Sequence, residues 1–205
     1  MSRAPVITNP IDLEAVLADL RQVVDLSVRL PASPFQRSGT DSLCEFERFR
    51  GGNFGPILAA LAGQYDDEYV SGVSVDPDPD YYQEFYETYG AFRISAADIA
   101  SAYWDALSFR QNDDATGALM FSADVLCVAG SSGGWGVWGE RQIGVAVLRT
   151  SGSDLSWRQE SNLFVPPDAA LRDFVEPNFN REPLPAEFRE AFLSGFKFAD
   201  GGSPR

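Results

Sequence analysis

This 205-residue sequence predicts an α+β fold with a mainly antiparallel central sheet at about residues 119–164, flanked by N- and C-terminal helices. Three observations lead there. Apolar residues at helical spacing concentrate toward both ends of the chain, alternating or continuous apolar runs crowd the centre, and the two never alternate in the βαβ manner that builds a parallel sheet. A single globular domain over residues 1–205 is expected, because 44% hydrophobic residues supply one sizeable core and no linker-like stretch divides the chain.

Asn9-Pro10 reads as an N-cap with proline in the first turn, and apolar residues at 13, 16, 17, 20, 23 and 24 extend a helix to near Asp25. Leu26, Val28 and Leu30 alternate as a short strand would, and residues 31–42 read as a loop. A short apolar helix is expected over Asn53–Gln64, a strand over Tyr69–Val75, and a helix over Pro79–Tyr89 with Tyr81, Phe85 and Tyr89 on one face and Gly90 as its C-terminal cap. Phe92 and Ile94 suggest another strand, and Ser95-Ala96-Ala97-Asp98 resembles a capping box opening a helix to about Phe109. Leu119–Val128, Trp135–Trp138 and Ile143–Leu148 form the strand run, with Gly130–Gly134 as the first turn and Trp157–Phe164 as a further strand. Late helices are expected over Pro167–Phe174 and Pro185–Gly195, then a frayed tail at 200–205.

Composition removes much familiar catalytic machinery. Without histidine there is no Ser-His-Asp or Cys-His nucleophile system and no HExxH zinc site. Lys197 is the sole lysine, and Gly195-Phe196-Lys197-Phe198 matches neither a P-loop nor a Schiff-base setting. Cys44 and Cys127 fit no CxxC pattern and are expected as reduced, buried thiols in a cytoplasmic protein, since the first residues lack a secretory apolar region and no apolar run is long enough to span a bilayer.

The charge of −14 is concentrated. Residues 65–105 hold ten acids (Asp66, Asp67, Glu68, Asp76, Asp78, Asp80, Glu84, Glu87, Asp98, Asp105) against Arg93 alone. All seven tyrosines, Tyr65, Tyr69, Tyr81, Tyr82, Tyr86, Tyr89 and Tyr103, fall in the same stretch. Tyrosine offers large contact area at low entropic cost, and a dense negative field speeds association with a basic partner. Asp66, Asp67, Glu68, Asp76, Asp78, Asp80, Tyr81, Tyr82, Glu84 and Tyr86 are therefore the candidate residues for binding a basic protein. The same field disfavours nucleic acid. The competing reading of the segment is a solvated acidic helix with its aromatic face in the core.

Two motifs match in part. Asp76-Pro-Asp78-Pro-Asp80 opens like a calcium loop, but Tyr81 stands where the sharp turn requires glycine. Gly134-Trp-Gly136-Val-Trp-Gly139 spells GxGxxG, yet strand-like sequence follows where a dinucleotide site needs a helix. No metal and no cofactor is expected.

Trp135-Gly-Val-Trp138-Gly139-Glu140-Arg141, leading into Ile143–Leu148, is similar to a Trp-x-x-aromatic-Gly-acid-Arg strand pair of small bacterial proteins, many of them immunity proteins of polymorphic toxin systems. The resemblance covers about residues 120–150 and carries over no catalytic residues; Trp135, Trp138 and Arg141 are expected to brace the hairpin. It implies a non-catalytic immunity protein that masks a cognate basic toxin. The alternatives are a regulatory or scaffold protein binding an endogenous basic partner and, third, a carboxylate-based or metal-assisted enzyme.

Overall fold

The computed structural model describes residues 6–110, 114–158, 163–179 and 183–198. Helix α1 (Pro10–Leu20) begins as its sequence dictates: the Asn9 side chain accepts from the Asp12 amide at 2.9 Å, Pro10 opens the first turn, and Leu13, Val16 and Leu20 are buried. It stops at Leu20, short of Asp25, and Leu26–Leu30 forms no strand. Asp25 supplies the reason, because its carboxylate accepts from the Ser27 amide at 2.9 Å and the Ser27 hydroxyl at 2.6 Å, a local turn that competes with strand pairing.

Strand β1 (Thr40–Glu45) begins inside the expected loop. Helix α2 (Phe46–Phe49), a 3₁₀ turn at Gly52–Phe54 and helix α3 (Gly55–Gln64) follow. Strand β2 (Tyr69–Asp76) leads to helix α4 (Pro79–Tyr86), strand β3 (Ala91–Ser95) and helix α5 (Ile99–Ser108). Helix α4 ends at Glu87, which takes the left-handed conformation expected of Gly90, with φ 55°. The Ser95–Asp98 capping box does not form: Asp98 makes no capping bond, and the Ser95 hydroxyl accepts from the nearby Ala97 amide.

Leu119–Ser122 is a short helix, α6, and not the start of a strand; β4 begins later, at Val125–Gly130. Strands β5 (Trp135–Glu140) and β6 (Val145–Thr150) complete the central meander. The expected Trp157–Phe164 strand falls partly on residues 159–162, outside the described residues; Trp157 occupies a turn, with its ring 5.2 Å from that of Phe164. Helix α7 (Pro167–Ala170) continues through a π-helical turn (Leu171–Val175) into helix α8 (Glu176–Asn178). Helix α9 (Ala186–Gly195) lies where the sequence places the last helix. Residues 200–205, the expected tail, lie outside the described residues.

The fold is α+β, built on one six-stranded antiparallel sheet in the order β1-β6-β5-β4-β2-β3. The sheet therefore draws on strands from residue 40 to residue 150, well beyond the expected 119–164. Both faces are covered. Val70, Phe92, Leu126, Val128, Trp135, Val137 and Leu148 pack under the helices carrying Phe49, Leu58, Leu61 and Tyr103. Leu43, Val73, Cys127, Trp138, Val145 and Val147 pack on the other side with Leu13, Val16, Leu171 and Phe192. Burial on both faces explains the near-continuous apolar sequence of β4 to β6. No helix among the described residues is long and apolar enough to cross a membrane.

Cys44 and Cys127 are free and buried, and burial pushes both thiols far up. They lie on opposite faces, in strands separated by two others, which places them about 14 Å apart across the sheet and beyond disulfide reach.

Several charged groups inside this sandwich are paired. Asp41 and Arg149 face each other across β1 and β6 and form a bidentate ion pair at 2.6 and 2.7 Å. Asp41, fully buried, also accepts from the Lys197 amide at 2.6 Å, and Arg158 donates to the neighbouring Ser42 hydroxyl. Asp19 of α1 accepts from Arg93 and from Ser71, tying that helix to β2 and β3.

Removing one partner of a buried ion pair leaves an uncompensated charge. Asp41→Ala is expected to lower the unfolding free energy by about 3–5 kcal/mol. The double variant Asp41→Leu/Arg149→Met should lose clearly less than the sum of its single variants, because no lone charge remains; urea denaturation of the four proteins checks this.

Candidate functional site

The acidic, tyrosine-rich segment divides into a structural part and a surface part. Asp67, at 8% exposure, is turned inward. Its carboxylate accepts from the Trp135 indole at 2.7 Å and the Ser132 amide at 2.6 Å, so it clamps the β4–β5 turn onto the start of β2. A Cβ at Gly130 would overlap that carboxylate, which is why the turn needs glycine there. Asp67 is thus removed from the set of partner-facing residues, while its neighbours Asp66 and Glu68 are exposed.

Tyr82 is the second correction. It is buried, its hydroxyl lies 2.8 Å from that of Ser122, and it anchors α4 to α6. Tyr86 is half-buried, with its hydroxyl 3.0 Å from Thr116. At helical spacing Tyr82 and Tyr86 form the inward stripe, and Tyr81 and Phe85 form the outward one. The expected third member of that face, Tyr89, lies past the helix end and packs beside the core of the opposite sheet face.

What remains outside is an aromatic ridge set among carboxylates. Tyr81 is 38% exposed and Phe85 60%, with ring centroids 4.8 Å apart. Asp76, Asp78, Asp80 and Glu84, in the same segment, are exposed. Asp78 also has a local task, accepting from the Tyr81 amide at 2.9 Å to cap the helix. Asp76, Asp78 and Asp80 do not converge as a calcium loop would, and no group of three or more candidate metal ligands gathers among the described residues.

At Asp76 the acidic surface meets a cavity of about 270 Å³, lined by Arg29, Leu30, Asp76, Asp124, Val125, Glu140, Gln142 and Ile143. It lies beside the ends of β2, β4 and β5. Glu140, the last residue of β5, is 6% exposed. Its Oε1 accepts from the Leu30 amide at 2.8 Å and the Trp138 indole at 2.7 Å. Burial raises its carboxyl above the usual range, outweighing those two bonds and the Arg29 charge, and nearby Asp76 adds to the rise. Asp124 pairs with Arg141 at 3.6 Å.

Trp135 and Trp138 are buried on opposite faces, each with its indole N–H bound to a carboxylate. Arg141 donates to the Phe121 carbonyl at 2.6 Å and stands over the Phe46 ring. The GxGxxG match is strand β5 itself. Sequence reasoning missed Arg29, Asp124 and Glu140 as members of a cavity. The available signal was Glu140, a lone acid between two apolar strands. No protein-family model, curated protein or solved structure matches the chain.

A raised carboxyl gives a definite pH response. Folded Glu140 keeps its proton at a pH where the unfolded chain has released it, so it contributes a loss of stability as pH rises from the ordinary value of 4.5 through the raised one. In Glu140→Gln that component is absent, and its Oε1 still accepts both bonds. Its unfolding free energy should therefore fall less than that of the wild type between pH 4.5 and neutrality, as measured by chemical denaturation; parallel curves would refute the assignment.

Proposed function

We propose that this protein is a non-catalytic binding protein that docks a basic protein through α4, and that it acts as an immunity protein masking a cognate toxin in the bacterial cytoplasm. The observation that carries the docking reading is the outward Tyr81–Phe85 pair on a helix segment whose Asp78, Asp80 and Glu84, with Asp76 just before it, are also exposed. An exposed aromatic ridge gives a partner apolar area to bury, and the surrounding carboxylates steer a basic surface onto it. The helix is held from beneath by Tyr82 and Tyr86, so little ordering is required on binding.

The toxin-masking assignment is supported by the Trp135–Arg141 resemblance and by the net charge of −14, which suits an inhibitor of a basic enzyme. A cytoplasmic site of action is supported by two buried free thiols.

The test is affinity capture from the source cells at low salt with stepped salt elution, run in parallel with Asp76→Asn/Asp78→Asn/Asp80→Asn and Tyr81→Ser/Phe85→Ser. Asn at position 78 still caps α4, so the triple variant keeps the fold. A basic protein held by the wild type should associate on the order of tenfold more slowly with the triple variant at low salt, and with a weaker salt dependence. It should be lost by the aromatic variant. Expressed alone, that partner should arrest growth, and co-expression of this chain should restore it. Capture undiminished in both variants would overturn docking at α4. A captured partner without toxicity would overturn the immunity reading in favour of a regulatory or scaffold role.

A further inference from the structure

We infer that the cavity between the Arg29–Leu30 segment and the ends of β2, β4 and β5 is a socket for an arginine side chain of the docked protein. This rests on the docking reading and deepens it, because Asp76 belongs both to the acidic surface beside α4 and to the cavity wall.

Size, lining and unmet bonding agree. At about 270 Å³ the cavity falls below the roughly 300–1,000 Å³ of drug-sized ligand sites and suits a single long side chain. Leu30, Val125 and Ile143 offer apolar contact for a methylene stem, and carboxylates stand beside them for its charged end. Glu140 is more than nine-tenths buried, yet only its Oε1 is bonded; Oε2 has no hydrogen-bond partner among the described residues. That oxygen is open to a donor brought by a partner, and a charge-assisted bond to a carboxylate is among the stronger hydrogen bonds.

The charges leave room for a cation. Asp124 is paired with Arg141, whereas Asp76 and Glu140 have no ion-pair partner among the described residues. Arg29 does not fill the role from within: it donates to the Leu26 and Val28 carbonyls at 2.8 and 3.2 Å and stands over the Trp138 ring. Burial holds the Glu140 carboxyl above its usual range against the lowering effect of its two hydrogen bonds and the Arg29 charge. A guanidinium suits the site better than an ammonium, because it is planar, weakly hydrated and carries several fixed donors that can serve two carboxylates at once.

Trp138 supplies a local reporter, since its indole N–H donates to Glu140. The experiment is an NMR titration of the ¹⁵N-labelled chain with N-acetylarginine methylamide, and with the lysine and citrulline analogues as controls. The Trp138 indole resonance should shift saturably with the arginine probe, more weakly with lysine, and not with neutral citrulline. Glu140→Gln and Asp76→Asn should each weaken binding of the arginine probe roughly tenfold. No Trp138 response to tens of millimolar arginine probe, an equal response to citrulline, or binding undiminished in both variants would overturn the socket. Tyr81→Ser/Phe85→Ser should leave probe binding intact. Probe binding without α4-dependent protein capture would therefore sink the docking reading alone. Capture that depends on α4 but not on Glu140 would sink the socket alone.

Discussion

A sheet covered on both faces leaves its central strands without a side open to water. Every polar side chain that enters such a strand must find its partner inside the protein or carry a heavy desolvation cost. Much of the polar architecture here follows from that constraint. Asp41 meets Arg149, Asp67 meets the Trp135 indole, Asp19 meets Arg93 and Ser71, and Glu140 meets Trp138 and the Leu30 amide. Each pairing joins an element to one distant in sequence or sets the orientation of a large indole. The polar groups in the interior thus help to specify how the elements dock, while apolar burial supplies the driving force.

The same constraint separates the acidic segment into its two parts. Asp67 and Tyr82 are drawn inward because a buried turn and a buried helix face need their polar atoms. Asp76, Asp78, Asp80 and Glu84 have no such demand on them beyond the Asp78 cap, and they stay in solvent beside Tyr81 and Phe85. Glu140 lies between these cases: one oxygen is engaged by the interior and the other is not. The cavity beside it is thereby the place where the interior network and the acidic surface meet.

Much of the fold was legible in the residues. The capped start of α1, the glycine-rich β4–β5 turn, the apolar runs of the central strands and the prolines opening the late helices all carry local signals that the structure preserves. Strand β1 was hidden because Thr40, Asp41 and Ser42 look like loop, and only the distant Arg149 and Arg158 make them buriable. Leu119–Ser122 was misplaced because a short apolar run fits helix and strand equally, and its pairing with Tyr82 decides the matter. Within the candidate surface, the concentration of charge pointed to the right segment, but no spacing rule could tell the inward Tyr82 from the outward Tyr81 before the helix was docked.

By itself the sequence determined the fold class, the exclusion of histidine-based chemistry and the place of the acidic, aromatic segment, because composition and periodicity are local properties of the chain. Tertiary structure alone decided which acids are structural and which are free. It also decided that both sheet faces are buried and that Arg29, Asp76, Asp124 and Glu140 share one cavity. Those outcomes depend on contacts between residues far apart in the sequence, such as Leu30 with Glu140, 110 positions away, and no local pattern encodes them.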